Sequence, residues 1–196
     1  NRGTADLPDS ISVVEFLGLM SQLAAQGFEA IRSDQLQAFL ERNVEIPPRS
    51  VLLIQDGNQT ADYYDQNFRD YFEAWGWGVT NDATLLAENI ALENEGFVDH
   101  QARGVTPDTV LTDDVAKTII ARELQGSQTG FANQFAKTPT VIIWPNGGFG
   151  IRPVEAARQL RFKLGFTSNS RGPILYNWVP LADSVDPQRP SLLPEG

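Results

Sequence analysis

The run Val51-Leu-Leu-Ile54 narrows what this chain can fold into more than any other stretch. Its four apolar residues stand between the turn-forming Ile46-Pro-Pro-Arg49 and Gly57. Such a run reads as a strand buried on both faces, as in parallel sheets covered by helices. A second run of the same kind, Thr140-Val-Ile-Ile-Trp144, is closed by Pro145-Asn-Gly-Gly148. Side chains just past the end of a buried parallel strand point into a ligand site. After the first run those residues are Gln55 and Asp56.

Between these strands the apolar residues take helical spacing. Ser10 or Ser12 can cap a helix carrying Val13, Phe16, Leu17, Met20 and Leu23. Gly27 ends it and leads into a short strand, Phe28-Glu-Ala-Ile31. Ser33-Asp34 starts a second helix with Leu36, Phe39 and Leu40 on one face, stopped by Pro47 and Pro48. A helix from about Tyr63 to Trp75 is expected to turn Tyr64, Phe68, Tyr71 and Phe72 inward. Thr84 to Asn94 is read as helical through Leu85, Leu86, Ile90 and Leu92, and Phe97 to Ala102 as a strand. Asp113 to Gly126 is read as a helix capped by Thr112 or Asp113 and carrying Val115, Ile119, Ile120 and Leu124. A further helix within Arg152 to Leu164 opens at Pro153, and Gly165-Phe-Thr-Ser168 is the next strand. From Arg171 onward prolines and polar residues recur, and no regular structure is expected.

Strands alternating with amphipathic helices are the pattern of parallel βα units, hence an α/β sheet or barrel. With 196 residues, 41% of them hydrophobic, the chain can bury one substantial core. The reading is one domain over 11–185, between a lead-in at 1–10 and an irregular tail at 186–196.

Composition removes several function classes. There is no cysteine, so a thiol nucleophile, a thiolate metal site and a disulfide framework are excluded. A net charge of -10 without a basic stripe excludes nucleic acid as a partner. No apolar run approaches the roughly 20 residues a membrane-spanning helix needs. No signal peptide is present, and a chain that opens on Asn1 rather than Met is compatible with one having been removed.

Three passages, in order, carry a resemblance. The first is the helix Val13 to Gln26 followed by Gly27-Phe-Glu-Ala-Ile31 and Pro47-Pro-Arg-Ser-Val-Leu-Leu53. The second is Asp99-His-Gln-Ala-Arg-Gly104, and the third is Val141-Ile-Ile-Trp-Pro-Asn-Gly-Gly148 with the helix and Gly165-Phe-Thr-Ser168 after it. From about Ile11 to Thr167 the chain resembles the polysaccharide deacetylase family, the NodB-homology domain of carbohydrate esterases. The resemblance implies a distorted, incomplete (β/α) barrel with its site at the C-terminal ends of the strands. It implies removal of acetyl groups from N-acetylated sugars with a divalent metal such as zinc, held by one aspartate and two histidines beside a base aspartate. It also implies export to the cell envelope, and a first strand lying upstream of Asn1.

Residue by residue, that site is degraded. The family's Thr-Phe-Asp-Asp-Gly run aligns with Leu53-Ile-Gln-Asp-Gly57, so Asp56 takes the metal-ligand position and Gln55 the base position. An amide cannot take a proton from water at neutral pH. The His-x-x-x-His pair aligns with Arg103-Gly-Val-Thr-Pro107. A guanidinium has no lone pair for a metal and proline has no side-chain donor. Where the third motif offers an arginine two residues before its proline, Ile143 stands before Pro145. His100 is the single histidine, and on a strand a lone histidine is more often structural than a ligand. Asp56 and His100 would still be two ligands, below the three of a catalytic zinc site.

No cofactor is therefore expected, and the expected character is a pseudoenzyme. The candidate binding residues are Asp56, Arg103, Trp144 and Asn146, with a glycan or a partner protein as ligand. An Asp56–Arg103 ion pair standing in for the ion is one expectation, with Arg103 extended into solvent as the other. The alternative function is an active carbohydrate N-deacetylase with a rearranged site. Tyr63, Tyr64, Trp75 and Trp77 read first as packing, and Asp113-Asp114 and Glu93-Asn-Glu95 as helix caps or flanks. Gly147-Gly148 is not followed by Lys-Ser/Thr and is no phosphate loop, and a Ser-His triad has no second histidine to draw on.

Overall fold

The computed structural model describes residues 11–55, 61–82, 87–106, 109–167 and 178–180. The lead-in at 1–10 and the tail at 186–196 lie outside them. The chain divides into two compact units, Asn1–Gln101 and Ala102–Gly196.

The first unit opens with α1 (Val13–Ala25), whose start is fixed by a reciprocal cap. The Glu15 backbone N–H donates to Ser12 Oγ at 3.2 Å, and Glu15 Oε2 accepts the Ser12 N–H at 3.0 Å. Gly27 lies just past its end with φ 78°, a left-handed turn that glycine makes without steric cost. Then come β1 (Glu29–Ala30), α2 (Ser33–Arg42), β2 (Ser50–Val51), β3 (Ile54–Gln55), α3 (Ala61–Asn67), α4 (Arg69–Trp75), β4 (Val79–Asp82), α5 (Ala87–Asn94) and β5 (Val98–Gln101). Among the described residues the strand pairs of this unit are parallel, in two sheets ordered β1-β2 and β3-β4-β5. The core gathers Met20, Tyr64, Phe68, Phe72, Trp77, Val79, Leu92, Phe97 and Val98.

Three expectations are corrected here. The first apolar run is not one strand buried on both faces. It changes partner in the middle, with Val51 paired to Ala30 and Ile54 to Thr80. Ile54 consequently stands at an outer edge and is 37% exposed. The helix expected over Tyr63 to Trp75 is two helices broken at Phe68 (φ -156°, ψ 0°). The Asn67 side-chain amide takes the Tyr63 carbonyl, a local bond of the kind that competes with helical pairing. Tyr64, Phe68 and Phe72 remain inward, but Tyr71 is exposed and packs on Trp75. Phe39 is likewise exposed, and α2 turns Ser33 and Ala38 inward instead. Leu85 and Leu86 lie outside the described residues.

The second unit contains α6 (Lys117–Phe135), β6 (Val141–Ile143), a 3-10 turn (Pro145–Gly147), α7 (Ile151–Gln159), β7 (Leu164–Phe166) and β8 (Trp178–Pro180). β6 pairs parallel with β7, and β8 adds antiparallel to β7 in the stretch where no regular structure was expected. Ala102, Leu111, Ile120, Leu124, Ile142, Trp144, Ala157 and Phe162 form its core. α6 differs from the expected Asp113 to Gly126 at both ends. Its buried residues Ile120, Glu123, Leu124, Ser127 and Phe131 keep helical spacing straight through Gly126. Asp113 serves another helix: its Oδ1 accepts the Arg152 N–H at 2.8 Å in the first turn of α7, and its carbonyl accepts Arg152 Nη1 at 2.9 Å. Among the described residues no helix is long and apolar enough to cross a membrane.

Candidate functional site

The strand register of the first unit sets Gln55, Asn81 and His100 side by side, since Gln55 pairs with Asn81 and Asn81 with His100. Neighbours in register share a face, so the three form one polar row near the C-terminal ends of β3, β4 and β5. Asn81 and His100 are each buried. Asn81 Nδ2 donates to Tyr64 Oη at 2.7 Å, tying the row to α3. Glu93 Oε2 accepts the His100 backbone N–H at 2.7 Å and lies 3.0 Å from His100 Nδ1, tying it to α5. Glu93 is thus the orienter of the single histidine, a role its sequence position at a helix end did not suggest.

The next residue of β5 in each direction points to the opposite face. There Asp99 and Gln101 meet Ser33 at the start of α2. Ser33 Oγ donates to Asp99 Oδ2, and Gln101 Nε2 donates to both Ser33 Oγ and Asp99 Oδ1 at 3.0 Å. All three are buried, and together they fix α2 against the sheet.

Gln55 is half-buried and lines a cavity of about 250 Å³ with Leu53, Ile54, Phe16, Tyr63 and Phe68. The amide is thus placed beside an apolar, aromatic-lined space. Asp56 lies outside the described residues, and so does Pro107, so the expected Asp56–Arg103 pair falls there as well.

In the second unit the chain leaves the sheet at Arg103. Ala102 still bridges to Ile142, with its N–H on the Val141 carbonyl at 3.1 Å and its carbonyl taking the Ile143 N–H at 2.8 Å. Arg103 is half-buried. Asn146 is exposed in the 3-10 turn at φ 51°, a left-handed conformation that asparagine tolerates. Trp144, just before that turn, is 1% exposed and packs within the core, and its buried indole Nε1 has no hydrogen-bond partner among the described residues. Glu123, which the sequence reading passed over, is equally buried and accepts the Val105 and Thr106 N–H groups at 2.8 and 2.7 Å. Burial works to raise its pKa, but the bonds from Arg122, Thr106 and Val105 outweigh that and hold it below the ordinary carboxylate value.

A divalent ion does not fit the donors at these positions. Gln55 offers a neutral amide and Arg103 a permanent cation, and His100, with Nδ1 on Glu93, has Nε2 alone to offer as a ligand. Among the described residues no group of three histidine, aspartate or glutamate side chains is gathered to hold a metal.

No protein-family model matches the chain, and no curated protein matches it. Solved structures do. A deacetylase of Streptococcus pyogenes, PplD in complex with acetate, superposes with TM-score 0.70 at 18% identity over 81% of this chain and 74% of that one. A de-N-acetylase of Aggregatibacter actinomycetemcomitans gives 0.71 at 15% identity over 93% of this chain and 86% of that one. IcaB of Ammonifex degensii gives 0.69 at 13% over 85% and 80%. With its parallel strands alternating with helices, this chain has the fold of the polysaccharide deacetylases.

Proposed function

We propose that the chain is a deacetylase-fold domain that binds N-acetylated glycan and does not carry out metal-dependent deacetylation. The observation that carries this reading is the polar row Gln55, Asn81 and His100. At the strand ends where the fold has its site, this chain places the half-buried Gln55 amide beside the buried Asn81 and His100. The Gln55 amide donates and accepts at once, which suits sugar hydroxyls and acetamido groups, but it cannot act as the base for water. Arg103 and Pro107 at the second-motif positions support the same reading, because neither can ligate a metal.

Gln55 is the proposed sugar contact of the first unit, with Asp56 beside it in sequence; Arg103 and Asn146 are, separately, those of the second. The aromatic wall of the Gln55 cavity adds a surface of the kind that sugar rings favour. The place of action proposed is carbohydrate metabolism of the cell envelope.

The test is elemental analysis of purified protein, then titration with zinc, cobalt and nickel after chelation, alongside a screen of N-acetylglucosamine oligomers. The expected result is no stoichiometric metal, no thermal shift on metal addition, and saturable oligomer binding in the presence of chelator. One tightly held ion per chain overturns the reading and returns Asp56 and His100 to the role of ligands.

A further inference from the structure

We infer that Glu123 is a positioning residue: it fixes the loop 103–106 on α6, and through the loop it sets where Arg103 stands. The functional half of this inference rests on the glycan-binding reading; the structural half does not.

The apolar side chains of the loop do little to hold it in place. Val105 is 55% exposed and Thr106 is exposed, so apolar burial contributes little. A carboxylate from inside the unit meets the loop's backbone. Glu123 Oε2 accepts the backbone N–H of Val105 at 2.8 Å and of Thr106 at 2.7 Å. Glu123 Oε1 accepts Thr106 Oγ1 at 2.9 Å and Arg122 Nη2 at 2.8 Å. Four donors fill both oxygens of a side chain that is 1% exposed. A buried carboxylate is tolerated only when so satisfied, and charge-assisted bonds to backbone amides are among the stronger ones.

Two glycines complete the fit. Gly104 has φ 144°, and a Cβ there would lie 3.4 Å from Glu123 Oε2. Gly126 is three residues beyond Glu123 on α6, on the same side of the helix, and a Cβ there would collide with Val105 Cγ2. Glu123 therefore holds the loop by its backbone, and Gly126 leaves the room for it. Arg103 is the residue at which this held loop begins, one step after the Ala102 bridge to the sheet.

The experiment compares wild type, Glu123→Ala and Glu123→Gln by trypsin cleavage after Arg103 and by affinity for the N-acetylglucosamine pentamer. Glu123→Ala is expected to speed that cleavage by about tenfold or more and to weaken pentamer binding by about tenfold, the equivalent of one lost charge-assisted bond. Glu123→Gln keeps a carbonyl for the two amides and should stay within about threefold of wild type on both readouts. A merely structural loss would lower the melting point without this local, glutamine-rescued change. If Glu123→Ala does not fold, Gly126→Ala, which leaves Glu123 in place but pushes Val105 away, should raise the same cleavage. Unchanged cleavage in the folded variants overturns the positioning role. Faster cleavage with unchanged affinity overturns its link to binding. A wild type that binds no pentamer overturns the glycan reading alone, and the cleavage result still decides the loop.

Discussion

Glu93 Oε2 accepts the backbone N–H of His100 at 2.7 Å and stands 3.0 Å from the Nδ1 of the same residue. One carboxylate oxygen thereby fixes both the strand and the ring of the single histidine in the chain. In the tautomer that carries its proton on Nδ1, that N–H donates to Glu93.

Replacing Glu93 by alanine removes the acceptor of the His100 backbone N–H and the partner of its Nδ1 at once. The expected cost is about 1–3 kcal/mol in urea denaturation, with Glu93→Gln losing less because one acceptor oxygen remains. A Glu93→Ala protein as stable as the wild type would contradict the pairing.

The bond from Asn81 Nδ2 to Tyr64 Oη, 2.7 Å long and buried, should appear as coupling. Tyr64→Phe and Asn81→Ala, singly and together, are expected to give an interaction energy of about 0.5–1.5 kcal/mol in a double-mutant cycle. Strict additivity would mean that the two side chains act independently.

Glu123 makes stability depend on pH in a definite direction. Its folded pKa is held below the ordinary carboxylate value, despite burial, by bonds from Arg122, Thr106 and Val105. A depressed pKa contributes stability that is complete above the unfolded value, about 4.3, and lost as pH falls through the lower folded value. The stability gap between wild type and Glu123→Gln should hold from neutral pH down to about 5 and narrow below about 4. A gap that stays constant down to pH 3 would contradict the carboxylate's role.

Gly150 precedes α7 in extended backbone, φ -167°, so its need for glycine is steric. A Cβ there would lie 2.6 Å from Asp113 Oδ1 and 2.9 Å from the Asp113 backbone nitrogen. Gly150→Ala should displace Asp113 from the Arg152 N–H and cost about 1–3 kcal/mol by overpacking. An unchanged thermal midpoint would show that Asp113 can move aside freely.

Much of the fold was legible because its strongest signals are local. Ser12, one of the two serines that could cap it, marks the start of α1, Gly27 marks its end, and the apolar Val141–Ile143 run is buried as expected. The misreadings come where a long-range partner overrides a local signal. Asp113 looks like the cap of the helix after it but is recruited by Arg152, 39 residues away. Gly126 looks like a helix end but is the small residue against which Val105 packs. Val51 to Ile54 looks like one buried strand because composition does not reveal that its two halves pair with different neighbours. For the candidate site, the sequence gives the chemistry that Gln55 and Arg103 offer, a neutral amide and a permanent cation. The site was not legible at Asn81, Glu93 and Glu123, whose roles exist only through strand register and side-chain reach.

The central claim is tested most directly by acetate release from the N-acetylglucosamine pentamer by chelator-treated protein, with zinc, cobalt or nickel added back in turn. The account predicts no acetate above the protein-free control with any metal, while pentamer binding persists in the presence of chelator. Acetate released in excess of one equivalent per chain, and dependent on one of these metals, would contradict it.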